Sequence, residues 1–280
     1  MIVLNLNALD EKRNKVKFQI TGDDIDTDSA IILSNHVSLA DHFVIAYLAR
    51  NSCTTTTDSS KLENSIVLPR VNFFSWFLVW RVPTWKVLFN MAKCDENWEL
   101  DESLLDSVFY KVLHSRTPEW LIMFPEVNIF THENALIQQQ QSSKYCLPLL
   151  ENVLYPRFSG IFNLVSAIQK SNNFKFTKIY DINLLYSRES NNPKNIFITP
   201  TLFDIFTSSS PPITVHIFVK TRFLSRLPQK RSKVERYIEH AWVDKDKQLT
   251  EQKKRLINDY QISTSNYHID LETTALNSSY

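Results

Sequence analysis

Two glycines, Gly22 and Gly160, stand in a chain of 280 residues where ordinary usage would place about twenty. A backbone that closes around phosphate, as in a Walker loop or a dinucleotide fingerprint, needs several glycines at fixed spacing. Any Cβ at those positions would hold the ligand off. This chain can build neither motif. P-loop NTPases, kinases and Rossmann dehydrogenases are therefore excluded, and the chemistry must rest on side chains.

The remaining composition bounds the class. A 43% hydrophobic content over this length supports a sizeable core, in one large α/β domain or two small ones. The formal net charge of +1 gives no electrostatic case for nucleic acid. Cys53, Cys94 and Cys146 are odd in number and far apart, which points to a reducing compartment rather than a disulfide framework or a zinc site. The start, Met1-Ile2-Val3-Leu4-Asn5, lacks the basic and apolar regions of a signal peptide. No run of 18 uncharged apolar residues is present.

Hydrophobic periodicity places the elements. Lys15 to Ile20 alternates as a strand, Ala30 to Ser34 reads as a buried strand, and Leu39 to Ala49 has helical spacing. Asn51 to Asn64 reads as a polar loop and Ser65 to Leu68 as a short strand. The segment from Val71 to Ala92 carries Trp76, Trp80 and Trp85 with Arg81 and Lys86, which suits either a membrane-interface segment or a buried helix pair. A helical stripe runs from Leu104 to Leu113 with Asp101 as N-cap. Glu119 to Phe124 is a strand ending at Pro125-Glu126, and the glutamine-rich Gln138 to Ser143 reads as exposed low-complexity sequence. Asn152 to Tyr155 reads as a short strand, Phe158 to Ile168 as a helix, and Thr177 to Tyr186 and Ile213 to Val219 as strands. Val234 to Trp242 marks a helix that Leu249 to Tyr260 extends or follows. The alternation of strands and helices predicts an α/β fold with a single mixed, largely parallel sheet flanked by helices.

The segment Ser34-Asn35-His36-Val37-Ser38-Leu39-Ala40-Asp41 sets an imidazole and a carboxylate five residues apart, directly after the buried strand. A carboxylate behind a histidine fixes its tautomer, and the histidine then acts as a general base on a hydroxyl. No serine or cysteine nucleophile accompanies the pair, so the activated hydroxyl is expected on the substrate, which is acyl-transfer chemistry. Ser38-x-x-Asp41 also fits a helix capping box, and this second reading stands beside the first.

With Phe124-Pro125-Glu126 downstream, the chain resembles the 1-acylglycerol-3-phosphate O-acyltransferase family, which carries an Asn-His-x4-Asp segment and a Phe-Pro-Glu-Gly segment. Its look is closest to the lysophosphatidylinositol and lysocardiolipin acyltransferase branch. Asn97 to Asp101, Asn152 to Gly160 with its Pro156-Arg157 pair, Tyr180-Asp181-Ile182, Val215 to Lys220 and Ala241 to Asp246 follow that branch's blocks in order. Val127 and Asn128 stand where the family has Gly and Thr, and the family's phosphate-holding Arg has only Lys93 or Arg81 as stand-ins.

The resemblance implies an acyltransferase domain over 1–262, with a loose tail over 263–280. It implies His36 as general base and Asp41 as its orienting partner. Glu126, Asn128, Arg157 and Lys93 are the implied substrate-binding residues, with Glu126 ordering the substrate glycerol or the loop around it. Acyl-CoA is the expected co-substrate, with no cofactor and no metal. A lysophospholipid and a membrane surface are the expected partners, at the cytosolic side of the endoplasmic reticulum. The family's membrane-spanning segments have no counterpart before the first strand, so the expectation is a shortened chain or one held by an interfacial surface. Two other classes stay open: a non-catalytic lipid-binding relative or scaffold, and a soluble acyl-thioester hydrolase.

Overall fold

The computed structural model describes residues 16–52, 69–75, 78–80, 109–110, 112–171, 175–188, 190, 195–206 and 212–277. Seven strands form one sheet: β1 (Val16–Gly22), β2 (Ala30–Ser34), β3 (Arg70–Ser75), β4 (Leu78–Trp80), β5 (Glu119–Met123), β6 (Lys178–Arg188) and β7 (Ile213–Phe223). Their order is β1-β7-β6-β2-β5-β3-β4. β2 runs parallel to both β5 and β6, β3 is parallel to β5, and β1 is parallel to β7. Only the β6–β7 and β3–β4 pairs are antiparallel. The expected mixed, largely parallel sheet is what forms.

β2 and β5 lie at the centre, and all five residues of each are buried. Their unbroken apolar runs suit strands covered on both faces. On one face, Ile32, Trp120, Ile122, Ile182, Val215 and Ile217 pack under α1 (Asp41–Asn51). On the other, Ile31, Leu33, Leu121 and Met123 pack against α3 (Ser159–Lys170) and α5 (Arg231–Asn277); the chain also forms α2 (His132–Tyr145) and the short α4 (Leu202–Phe206). Each fully buried aliphatic side chain contributes about 2 kcal/mol. β1 is an edge strand, so its alternation covers only half a core: Val16 is buried while Ile20 is 47% exposed. Gly22 ends it at φ +101, where a Cβ would stand 2.1 Å from the Val219 carbonyl oxygen.

Several expectations are corrected. The tryptophan-rich segment begins as two strands, not as a helix, over Arg70–Ser75 and Leu78–Trp80. Asn72 explains the strand locally: its buried amide donates to Glu119 Oε2 at 2.6 Å and to the Trp120 carbonyl at 3.3 Å, tying β3 to β5. Residues 81–92, with Arg81 and Lys86, lie outside the described residues, as do 53–68 and Asp101. Of the stripe from Leu104 to Leu113, Phe109, Val112 and Leu113 are seen, all buried. The glutamine run is helical within α2, because Gln138 and Gln139 bond the Tyr155 N–H and the Leu150 carbonyl. Asn152 to Tyr155 is not a strand. Its N–H groups are taken by distant side chains: Asn152 donates to Asp246, Leu154 to Glu126 and Tyr155 to Gln138. α5 runs on through residues 263–277, the segment read as a loose tail.

A buried cation fixes α5 to the sheet. Lys245 Nζ donates to Asp181 Oδ1 at 2.6 Å, to the Ile182 carbonyl at 2.8 Å and to Asn183 Oδ1 at 2.7 Å, so all three of its protons are satisfied. Asp181 also accepts from Arg222 at 2.9 Å. Removing one member of such a network strands the others in low dielectric. Lys245→Met is expected to destabilise the fold by about 3 kcal/mol, read as a lower urea midpoint in equilibrium unfolding. An unchanged midpoint would show that the network is not what holds α5.

Candidate functional site

The site is built on the loop between β2 and α1. Asn35 opens it by imitating a strand residue: its Oδ1 accepts the Leu184 N–H at 2.7 Å and its Nδ2 donates to the Leu184 carbonyl at 2.9 Å. The chain then turns, and Asp41 enters the first turn of α1, where the helix dipole favours an acid. The N-cap is Ala40 with no side-chain bond, so the capping-box reading is half right. Asp41 does reach back to the Ser38 N–H at 3.0 Å, but Ser38 Oγ accepts from Ala40 N and donates to the Pro200 carbonyl.

Asp41 is fully buried, and its carboxylate is saturated with donors. Oδ2 accepts from His36 Nδ1 at 2.9 Å, Val37 N at 2.7 Å and Ser38 N at 3.0 Å, and Oδ1 accepts from the Tyr186 hydroxyl at 2.5 Å. A carboxylate held this way only accepts, so His36 must carry its proton on Nδ1. Among the described residues none hydrogen-bonds His36 Nε2. The arrangement therefore presents a basic nitrogen whose tautomer is enforced from behind. Burial, then the negative charge of Asp41, raises the Tyr186 hydroxyl well above its ordinary value, so it remains a donor.

Two rings frame the imidazole. Phe124 stacks on it with centroids 4.3 Å apart, and His42 meets it edge-on at 5.5 Å. Burial, reinforced by His36, pushes His42 down to about 4. It stays neutral near neutral pH, so no second cation faces His36. The unfolded chain binds a proton at His42 near pH 6.5 and the folded one does not until about pH 4. Stability is thus present above about 6.5 and is lost as pH falls toward 4. His42→Gln is expected to flatten the decline in unfolding free energy across that window, measured by urea titration at several pH values. An unchanged slope would contradict this.

The Phe124-Pro125-Glu126 segment closes over the loop. Phe130 N donates to the His36 carbonyl at 2.7 Å, and Arg157 N donates to the Pro125 carbonyl at 2.7 Å. Glu126 is buried; it accepts from Leu154 N at 3.0 Å and, at 3.4 Å each, from His36 N and Trp242 Nε1. Burial drives its carboxyl up to about 8 against these donors. In this position it ties three segments together and orders the loop around His36.

Val127, where the resembled family has Gly, sits at φ +68, and Asn128 N donates to the Glu126 carbonyl at 2.7 Å. This is a γ-turn of positive φ, a conformation that a β-branched residue adopts only under strain. Val127→Gly is expected to raise stability by about 1 kcal/mol, read as a higher urea midpoint. A lower midpoint would show that the valine side chain stabilises the loop by more than its strain costs.

Of the other expected binding residues, Asn128 and Arg157 carry exposed side chains beside this loop, and Lys93 lies outside the described residues. His216 is bonded to Ser187 Oγ at 2.8 Å, away from the pair. The sequence reading missed Asn35 and Tyr186 as direct supports of the site. It also missed Trp242, Lys245 and Asp246 as the side chains that hold its loops. Their chain-order blocks were visible, but no spacing ties Tyr186 to Asp41 across 145 residues. Among the described residues no group of three or more His, Cys, Asp or Glu is placed to hold a metal ion, and no helix is long and apolar enough to cross a membrane.

No family model matches the chain. It is similar to 1-acyl-sn-glycerol-3-phosphate acyltransferase 2 of Brassica napus, 28% identical over 237 residues, covering 82% of this chain and 55% of the relative. It is also similar to lysocardiolipin acyltransferase 1 of Gallus gallus, 22% identical over 83% of this chain and 56% of the relative. Lysophosphatidylinositol acyltransferase 10 of Caenorhabditis elegans is 23% identical over 84% of this chain and 56% of its own length. The chain spans a little over half the length of these curated relatives. Each of these relatives is an acyltransferase by name, and the similarity to them runs over most of this chain.

Proposed function

We propose that this chain transfers a fatty acyl group from acyl-CoA to the free hydroxyl of a lysophospholipid, of the lysophosphatidic acid or lysophosphatidylinositol type. The observation that carries the reading is the His36–Asp41 bond of 2.9 Å, with Asp41 held by three further donors and Nε2 bound by no described residue. His36 Nε2 takes the proton of the acceptor hydroxyl as its oxygen attacks the thioester carbonyl. The tetrahedral adduct then expels the CoA thiolate, which recovers that proton from the imidazolium. Asp41 stabilises the transient imidazolium without moving. Ser38 is no rival nucleophile, since its hydroxyl is spent on the Pro200 carbonyl at 2.6 Å.

The bond from Ser38 to Pro200 also gathers the exposed Leu39 and the α4 loop at one rim. Phe203, in α4 itself, is 79% exposed. Substrates that reside in bilayers would meet the site there, and this supports work at a membrane surface, which we assign to the cytosolic side of the endoplasmic reticulum. The alternative, a non-catalytic lipid-binding relative, draws on Val127 and Asn128 in place of Gly and Thr. Retention of positive φ at Val127 weighs against it, because the loop keeps its turn without the glycine.

The test is transfer of labelled acyl groups from acyl-CoA to a panel of lysophospholipids, followed by mass spectrometry. His36→Ala is expected to lose at least about a hundredfold in rate, and Asp41→Asn to fall similarly through the wrong tautomer. Full activity in a folded His36→Ala protein would remove the reading.

A further inference from the structure

A cavity of about 200 Å³ opens beside the catalytic loop, lined among others by Asn35, Val37, Tyr186, Phe197, Leu249 and Lys253. Its walls adjoin the pair, although neither His36 nor Asp41 lines it. Asn35 and Val37 flank His36 in the chain, and Tyr186 is the residue that donates to Asp41. Most of the lining is apolar, and Lys253 is its one cation. We propose that Lys253 receives the phosphate head of the acyl acceptor, in a cavity that places the acceptor's glycerol against the His36 loop. The inference rests on the acyltransferase reading above and names the residue that recognises its substrate.

Lys253 is prepared for an anion in a way that Lys245, eight residues earlier on the same helix, is not. Lys245 spends all three protons on acceptors. Lys253 donates to Asn152 Oδ1 at 2.7 Å and lies 5.6 Å from the centre of the Phe197 ring. Among the described residues no carboxylate is within ion-pair distance of it. Asn152 is itself fixed, donating to Thr250 Oγ1 at 2.7 Å and to the Asp246 carbonyl at 3.2 Å. The ammonium is therefore aimed, with protons to spare. Burial lowers its pKa despite Asp246 and Glu151, the mark of a half-buried cation short of negative charge.

Size narrows the ligand. The cavity has the volume of roughly seven liquid waters, below the range of about 300–1,000 Å³ that takes a whole drug-sized molecule. That is room for a phosphorylated glycerol. The apolar walls suit the glycerol carbons and the first methylenes of the chain. The side chain of Arg157 is exposed.

Two measurements test the assignment. Acetylation of lysines by an amine-reactive ester, read by mass spectrometry on the parent protein, is expected to label Lys253. Saturating glycerol 3-phosphate should reduce that labelling at least fivefold, and glycerol should not. In transfer assays, Lys253→Met should raise KM for lysophosphatidic acid at least tenfold with kcat within threefold, leave KM for acyl-CoA unchanged, and be largely rescued by Lys253→Arg. Absence of protection together with an unchanged KM would overturn the assignment. So would a rise in KM for acyl-CoA instead, which would make the bound phosphate the donor's, or protection by inorganic phosphate as strong as by glycerol 3-phosphate. Protection of Lys253 in a protein that transfers no acyl group would uphold the site and sink the acyltransferase reading instead.

Discussion

The carboxylate of Asp41 is the interaction on which the site depends. It is fully buried and would be costly to ionise without compensation, yet it gathers four donors from three directions: the imidazole, two loop N–H groups and a tyrosine from β6. Each of these donors thereby fixes something. The N–H bonds hold the loop in the turn that delivers His36, the tyrosine anchors α1 to the sheet, and the imidazole bond selects the tautomer. The nitrogen proposed as the base is thus set by the same hydrogen bonds that shape the backbone around it. The one carboxylate accepts both the Ser38 N–H, which is half of the capping box, and the His36 imidazole.

A second layer holds that first one in place, and one stripe of α5 supplies it. Trp242, Lys245, Asp246, Leu249 and Lys253 recur at helical spacing. They reach, in turn, Glu126, Asp181, the N–H groups of Glu151 and Asn152, the cavity, and Asn152 again. The loops they hold have little regular structure of their own. The helix acts as an external template, aligning the segment from Phe124 to Phe130 and the segment from Glu151 to Arg157 beside His36. A shift of α5 would move several walls of the site together.

What the sequence discloses and what it hides follow from the range of the forces involved. β2, β5, β6 and β7 were legible because a strand covered on one or both faces must repeat its apolar residues at short range, as Ile213, Val215, Ile217 and Val219 do. The His36–Asp41 pair was legible because five residues of one loop contain it. Asn152 to Tyr155 was misread because side chains 17 to 94 residues away take its N–H groups, and no local pattern encodes that. The helix pair read after Arg70 failed because aromatic density does not set secondary structure, and the strand character there comes from pairing with β5. Tyr186 and Lys253 look like ordinary strand and helix residues until the fold brings them beside the loop.

The central claim is that Asp41 holds His36 with its proton on Nδ1 and leaves Nε2 basic. Nitrogen-15 NMR of histidine-labelled protein, at a pH where the imidazole is neutral, reads this directly. The account predicts that His36 shows a protonated Nδ1 and a bare Nε2, and that this tautomer is lost in Asp41→Asn. A protonated Nε2 in the parent protein, or a tautomer indifferent to the Asp41 substitution, would contradict it.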